Sequence, residues 1–199
     1  MRLTSLTMLA AACVLSCVPA ASAGTKLIVH VRTYDVAGKT GADLVEAMDR
    51  LGPKHGYMTR AIAETGYTVH WDLDISRQDG ICRLRQANGK LDLTYTFPRR
   101  LSPASPGLRK RWDGFMAGVR RHEHTHGRIA MRMMRATETA LAGLERRDNW
   151  FCTGTHLEAR RRINATYAEY EAKQNAFDAR EHRGGGHVEH LVDALTKLD

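Results

Sequence analysis

An α+β fold is predicted by three observations on this chain of 199 residues. Residues 25–98 mostly alternate apolar and polar side chains with a period of two. From residue 105 onward, apolar side chains recur every three to four positions. A break at 147–154 divides that second half in two. The expectation is a small antiparallel or mixed sheet packed on a long helix, with a second helix returning against the first.

The N-terminus comes first. Met1-Arg2 is a short positive start, the run from Leu6 to Val18 is apolar but too short to span a bilayer, and Ala21-Ser22-Ala23 has the A-x-A form of a cleavage site. This predicts a signal peptide over 1–23, a single domain over 24–199, and a secreted or periplasmic protein. The alternatives are an uncleaved anchor and a lipid anchor at Cys17. No other run is long enough to span, so no integral membrane association is expected after cleavage. The formal net charge is +8, one less once Arg2 leaves with the leader. Export argues against nucleic acid as the partner and leaves anionic envelope components, or simply a solvated basic surface. Cleavage also leaves two cysteines, Cys82 and Cys152, which are expected to pair. The bond would close a loop of about 70 residues, worth roughly 4 kcal/mol in the chain-entropy picture. Two buried free thiols are the alternative.

The strand half reads as Leu27, Val29 and Val31, then Val69, Trp71 and Leu73, then Cys82 and Leu84, then Leu91, Leu93, Tyr95 and Phe97. The last two runs flank Asn88-Gly89, which predicts a hairpin turn there. One helix interrupts, with Thr40 as its cap, Leu44, Met48 and Leu51 on its apolar face, and Gly52-Pro53 as its stop. Ser105-Pro106 then opens the long helix. Its stripe is Trp112, Phe115, Val119, His122, His126, Ile129, Met133, Ala140 and Leu144, with Gly118 and Gly127 as interruptions. Thr155 and Glu158 form a T-x-x-E pattern that predicts a capping box for the next helix. That helix carries Ile163, Tyr167, Tyr170, Gln174 and Phe177 and stops at Gly184-Gly185-Gly186. The segment His182–His190 beyond it reads as a glycine- and histidine-rich tail.

The chemistry lies in His122-Glu123-His124-Thr125-His126. Histidines four apart share one helix face, so two imidazole nitrogens can reach one ion at about 2 Å. Glu123 stands beside them as the candidate general base for water activated by zinc. Both histidines fall on the apolar stripe, where their ring nitrogens need partners, and a shared metal supplies one. A pair of core histidines bonded to protein groups is the bland alternative. His124 points to another face and reads as a surface residue. The extended form of the motif, with Gly and His further along the helix, is missing, since Ile129 and Arg132 occupy those positions. Glu138 and Glu145 lie too far on to fold back.

The third ligand must therefore come from elsewhere. A short connector centred near Trp150 predicts antiparallel packing, which places the position facing the motif near residue 176. His182 is the first candidate there, then Glu181 and Asp178, then His187 and His190. For an oxyanion stabiliser, Tyr167, Tyr170, His70 and Arg128 are all open. Two other patterns fail: Gly38-Lys39-Thr40 lacks the earlier glycine of a P-loop, and Asn164-Ala165-Thr166 lies within a helix.

Several segments taken together resemble a bacterial family of predicted secreted zinc-dependent proteases. They are residues 34–40 (YDVAGKT), Gly52-Pro53, residues 67–71 (YTVHW), residues 122–126 (HEHTH), and Asn175-Ala176-Phe177-Asp178 leading to His182. The resemblance covers most of residues 24–199. The family's last motif has tyrosine before the aspartate and a His-Gly pair. Here Phe177 replaces the tyrosine and Arg183 separates His182 from Gly184. The architecture expected is similar to the zincin plan, and the activity implied is peptide-bond hydrolysis on a peptide or protein substrate. Two rivals stand beside it. One is a non-catalytic exported metal-binding or envelope-structural protein, which suits seven of the ten histidines lying after residue 121. The other is a zinc amidase acting on peptidoglycan.

Overall fold

The computed structural model describes residues 24–55 and 59–197. The expected leader, its cleavage site and Cys17 lie outside the described residues. Ten elements follow in order: β1 (Lys26–Val36), α1 (Gly41–Leu51), β2 (Lys54–His55), β3 (Thr59–Arg60), β4 (Glu64–Gln78), β5 (Ile81–Arg100), α2 (Pro106–Leu141), β6 (Glu145–Arg147), α3 (Thr153–Glu181) and α4 (His187–Thr196). The architecture is α+β, a small mixed sheet with four helices.

β5 is the centre of the sheet. β4 pairs antiparallel along one side, while β1 pairs parallel along the other and β6 takes that side at the start of β5. The hairpin turn is not at Asn88-Gly89. It lies at Asp79-Gly80, between the paired Gln78 and Ile81, and both turn residues have positive φ, 52° and 76°. That is the backbone a two-residue hairpin requires, and Asp-Gly supplies it cheaply. Asn88 and Gly89 sit mid-strand opposite Asp72 and Trp71. A Cβ on Gly89 would meet the Trp71 ring at 2.9 Å and Met134 Cε at 2.7 Å, so glycine makes room for them.

One sheet face is the core face. Leu91 and Leu93 of β5 pack on Ala130, Met133 and Met134 of α2. Tyr95 and Phe97 join Trp112, Phe115 and Val119 of α2, Leu44 and Met48 of α1, and Leu195 of α4. Each such buried side chain contributes about 1.5–3 kcal/mol, and together they fix α2 across the sheet. The two glycines that interrupt the α2 stripe are contact points. A Cβ on Gly127 would lie 1.9 Å from the Tyr95 hydroxyl, and one on Gly118 would lie 2.4 Å from Leu191 of α4.

The caps are partly as expected. Thr40 and Asp43 form a reciprocal capping box on α1, and Ser105 Oγ accepts from Leu108 N at the start of α2. Helix α2 ends at Leu141, and Gly143 turns the chain with φ 65°. Leu144 is buried outside the helix, its carbonyl accepting from Leu84 N of the sheet. The Thr155–Glu158 box does not form. Helix α3 starts three residues earlier, with Cys152 at the N-cap, and Asp148 Oδ2 accepts from both Thr155 N and Thr155 Oγ1. Glu158 instead pairs with Arg161 and Arg162. Nor is the C-terminal segment a tail: α4 packs on α1 and α2 and buries Leu195 completely. The disulfide Cys82–Cys152 forms as expected and ties β5 to the start of α3. No helix among the described residues is long and apolar enough to cross a membrane.

Candidate metal centre

Helices α2 and α3 run antiparallel about the connector at Trp150. Arg162 Nη1 donates to Ala140 O near that connector, while Gln174 meets His126 and Asp178 meets His122 far from it. The facing position near 176 follows from this register, because both helices rise by the same amount per residue.

His122 and His126 share the face of α2 that looks at α3. Their Nε2 atoms are 3.2 Å apart. Asp178 Oδ1 is 2.9 Å from His126 Nε2 and 3.4 Å from His122 Nε2. Three ligands held at about 2.0–2.1 Å in a tetrahedron stand about 3.3 Å apart, so these three atoms already have the spacing of ligands around one small cation. His122, Asp178 and His182 also offer ligand atoms within 4.8 Å of one another, so a His/Asp/His group here could hold a metal ion. His182 closes α3 with its ring edge-on to His122, the centroids 5.4 Å apart. Glu181 is more distant, its Oε2 3.9 Å from His122 Nδ1. That nitrogen is buried and has no hydrogen-bond partner among the described residues. His187 and His190 belong to α4 and are not in this group.

The ring of His126 is oriented from behind. Gln174 Nε2 donates to the His126 carbonyl at 3.2 Å, which turns Gln174 Oε1 toward His126 Nδ1 at 2.6 Å. An acceptor there requires the proton on Nδ1, which leaves the Nε2 lone pair pointing at Asp178 and His122. Phe177 covers both rings at centroid distances of 4.8 and 5.0 Å. Burial, followed by the nearby His126, holds the His122 imidazole below the ordinary histidine range against the opposing pull of Asp178.

Glu123 is 6% exposed on the next position of α2. Thr65 of β4 donates to Glu123 Oε2 at 2.6 Å, leaving Oε1 free of that bond. Burial pushes the Glu123 carboxyl up, and the Thr65 hydroxyl bond only partly opposes it. His124 faces away, exposed at the surface, with its ring edge-on to Tyr95 and the centroids 5.0 Å apart. His122, Glu123, His126, Asp178 and His182 open on a cleft of about 790 Å³ whose walls also include Thr65 and Tyr67. The residues 60–65 of the sheet edge form one wall and α3 the other.

Of the four oxyanion candidates, none is on this wall. Tyr167 Oη accepts from Trp71 Nε1, Arg128 donates to Thr125, His70 lies opposite Lys90, and Tyr170 lies under Lys173. Thr65 has no motif in the sequence to mark it, and Tyr67 enters there only through the 67–71 segment of the family resemblance. Their other signal is position, on the same strand face as Val69 and Trp71 but beyond the apolar run.

The sequence matches, over residues 31–186, the family described as a bacterial protein of unknown function, DUF922. The chain belongs to that family. Comparison with curated proteins found no match, and neither did comparison with solved structures. The DUF922 match takes in the sheet except the first five residues of β1, together with α1, α2 and α3, and with them His122, Glu123, His126, Asp178 and His182.

Proposed function

We propose that this DUF922 protein is a secreted or periplasmic zinc-dependent peptidase of zincin-like plan. What carries the reading is the triangle of His122 Nε2, His126 Nε2 and Asp178 Oδ1, with sides of 2.9–3.4 Å, beside a buried glutamate at the floor of a large cleft. Two neutral imidazoles and one carboxylate are the donor set of a catalytic zinc site, which keeps a further position open. His122, His126 and Asp178 would hold the ion. His182 stands next to it in the cleft, either as a further ligand or as a donor to developing negative charge. When bound, zinc supplies a Lewis acid that polarises a carbonyl and brings the pKa of water toward neutrality.

The chain's own groups do the rest. Glu123 Oε1 takes the proton from the attacking water, and burial, which raises its carboxyl, makes it a stronger base than an exposed glutamate. The same oxygen then returns that proton to the leaving amine. Thr65 fixes the carboxylate by occupying Oε2. Beside the cleft, β4 is an edge strand with one side unpaired among the described residues, which suits an extended peptide. A non-catalytic metal-binding protein needs no buried carboxylate that stands outside the ligand triangle.

The test is zinc content together with cleavage by the same purified sample. About one zinc per chain is expected. New termini should appear in an unfolded protein substrate, vanish with chelator and return with zinc. Fully loaded protein that cleaves no peptide would favour the binding role. Release of amide-linked stem peptides from peptidoglycan, with no action on proteins, would favour the amidase.

A further inference from the structure

We propose that the connector between α2 and α3 is a membrane-surface contact that docks the protein on anionic phospholipid. Trp150 and Phe151 stand at its tip, 74% and 80% exposed. Leu157, at 59%, follows in the first turns of α3. Single exposed apolar side chains are ordinary, but two adjacent aromatics on one turn form a patch.

That turn is held firmly. Cys152 is bonded to Cys82 of β5. Asn149 Oδ1 accepts from Phe151 N and Thr153 N, each at 3.1 Å, and Asp148 holds Thr155. The aromatic pair is thus presented by a pinned backbone and does not fold back onto the sheet.

Charge identifies the partner. Segments 76–83 and 145–162, which meet at this end, carry seven arginines against four carboxylates. Arg83 is engaged by Glu145, and Arg161 and Arg162 by Glu158. Arg77 and Arg147 have no carboxylate within ion-pair distance among the described residues. The Arg77 guanidinium lies 5.1 Å over the Trp150 ring. A Cβ on Gly80 would be 3.8 Å from both Arg77 Nη2 and Arg147 Nη1, so the two cations converge beside the aromatics. Tryptophan and phenylalanine at headgroup level with arginines on the phosphates is the arrangement an anionic bilayer selects. The cleft lies at the other end of the helix pair, Gln174 being 21 residues from Thr153 and hence about 32 Å along α3. Docking would hold the cleft away from the headgroups, whatever reaction it performs.

The experiment is flotation of the disulfide-bonded protein with vesicles of phosphatidylcholine alone, or with about 30% phosphatidylglycerol. Binding to the anionic vesicles should exceed that to neutral ones at least ~10-fold and weaken with salt. Brominated lipid should quench tryptophan emission in the unmutated protein, because Trp150 is the exposed one. Trp150→Ser with Phe151→Ser should lower binding at least ~10-fold. Arg77→Gln with Arg147→Gln should lower it by roughly fivefold per arginine and abolish the lipid preference. Unchanged thermal midpoints and an intact Cys82–Cys152 link would show that the variants fold. Absence of flotation and quenching at millimolar lipid would overturn the proposal. So would wild-type binding by either variant, or retention on purified peptidoglycan without vesicle binding.

Discussion

Gln174 grips His126 at two points, its amide oxygen 2.6 Å from the ring Nδ1 and its amide nitrogen 3.2 Å from the backbone carbonyl of the same residue. The second bond settles the orientation of the amide, and the first then settles the tautomer of the ring.

Gln174→Leu should therefore fold but bind zinc about 10–100-fold more weakly, the usual cost of losing the group behind a ligating histidine. Gln174→Asn, too short to make both bonds, should fall on the same side. Chelator competition measures it. Unaltered affinity in both variants would mean the contact does not orient a ligand.

Asp178 and His182 separate by a pair of substitutions. Asp178→Ala should lower zinc affinity at least ~100-fold, since it removes one corner of a three-ligand site. His182→Ala should keep one zinc and lose turnover if it serves as a donor. Loss of zinc in His182→Ala with retention in Asp178→Ala would invert the assignment.

Glu123→Gln should retain its zinc and its thermal midpoint while activity falls by at least ~100-fold. Glutamine keeps the bond from Thr65 but cannot take a proton. Metal content and turnover must be measured on one sample, because a metal-free variant is inactive for a different reason.

Gly127→Ala sets two effects against each other. Alanine gains about 1 kcal/mol of helix propensity, but its Cβ would stand 1.9 Å from the hydroxyl of Tyr95, a ring that is itself buried. Overpacking of a core costs about 1–3 kcal/mol, so the net result should be destabilising. Adding Tyr95→Phe removes the clashing oxygen and should recover most of the loss in urea unfolding.

Asp148 carries an acid-sensitive share of the stability. Its carboxyl is raised by burial, but the bonds from Thr155, Asn149 and Gly154 outweigh that and hold it at about 2, against an ordinary value of 3.8. A depressed carboxyl stabilises the fold above the unfolded pKa and loses that contribution as pH falls through the folded one. The wild-type advantage over Asp148→Asn should thus be full above about pH 4 and fade toward pH 2. A gap between the two unfolding midpoints that is constant with pH would refute the assignment.

What was legible in the sequence was whatever depends on a repeat. The period of α2 and the common rise of two helices put residue 176 opposite the histidines, and Gln174, Phe177 and Asp178 are there. Turn chemistry was less legible because it is local while its use is not. Asn88-Gly89 has the composition of a hairpin, yet Gly89 exists to admit Trp71 and Met134, and Asp79-Gly80 makes the turn. Helix α4 was hidden by the glycines before it, although Val188, Leu191, Val192 and Leu195 have helical spacing. The choice between His182 and Asp178 could not be read either, since both lie within two turns of the facing position, and the structure brings both to the group.

Every residue of β4 is paired with β5 through a two-residue turn, so that ribbon can close on neighbouring chain within microseconds. Strand β1 is different. It pairs in parallel with β5, Lys26 meeting Lys90, and cannot be placed until that partner exists. A ribosome working from the N-terminus makes β1 first, and at about 5–20 residues per second the partner follows roughly 3–13 s later. For that interval Leu27, Val29 and Val31 are an apolar strand with two open edges, and the same side chains stay 43–66% exposed on the finished edge. Lys26 and Arg32 bracket the row with like charge, which keeps two such nascent strands from pairing with each other.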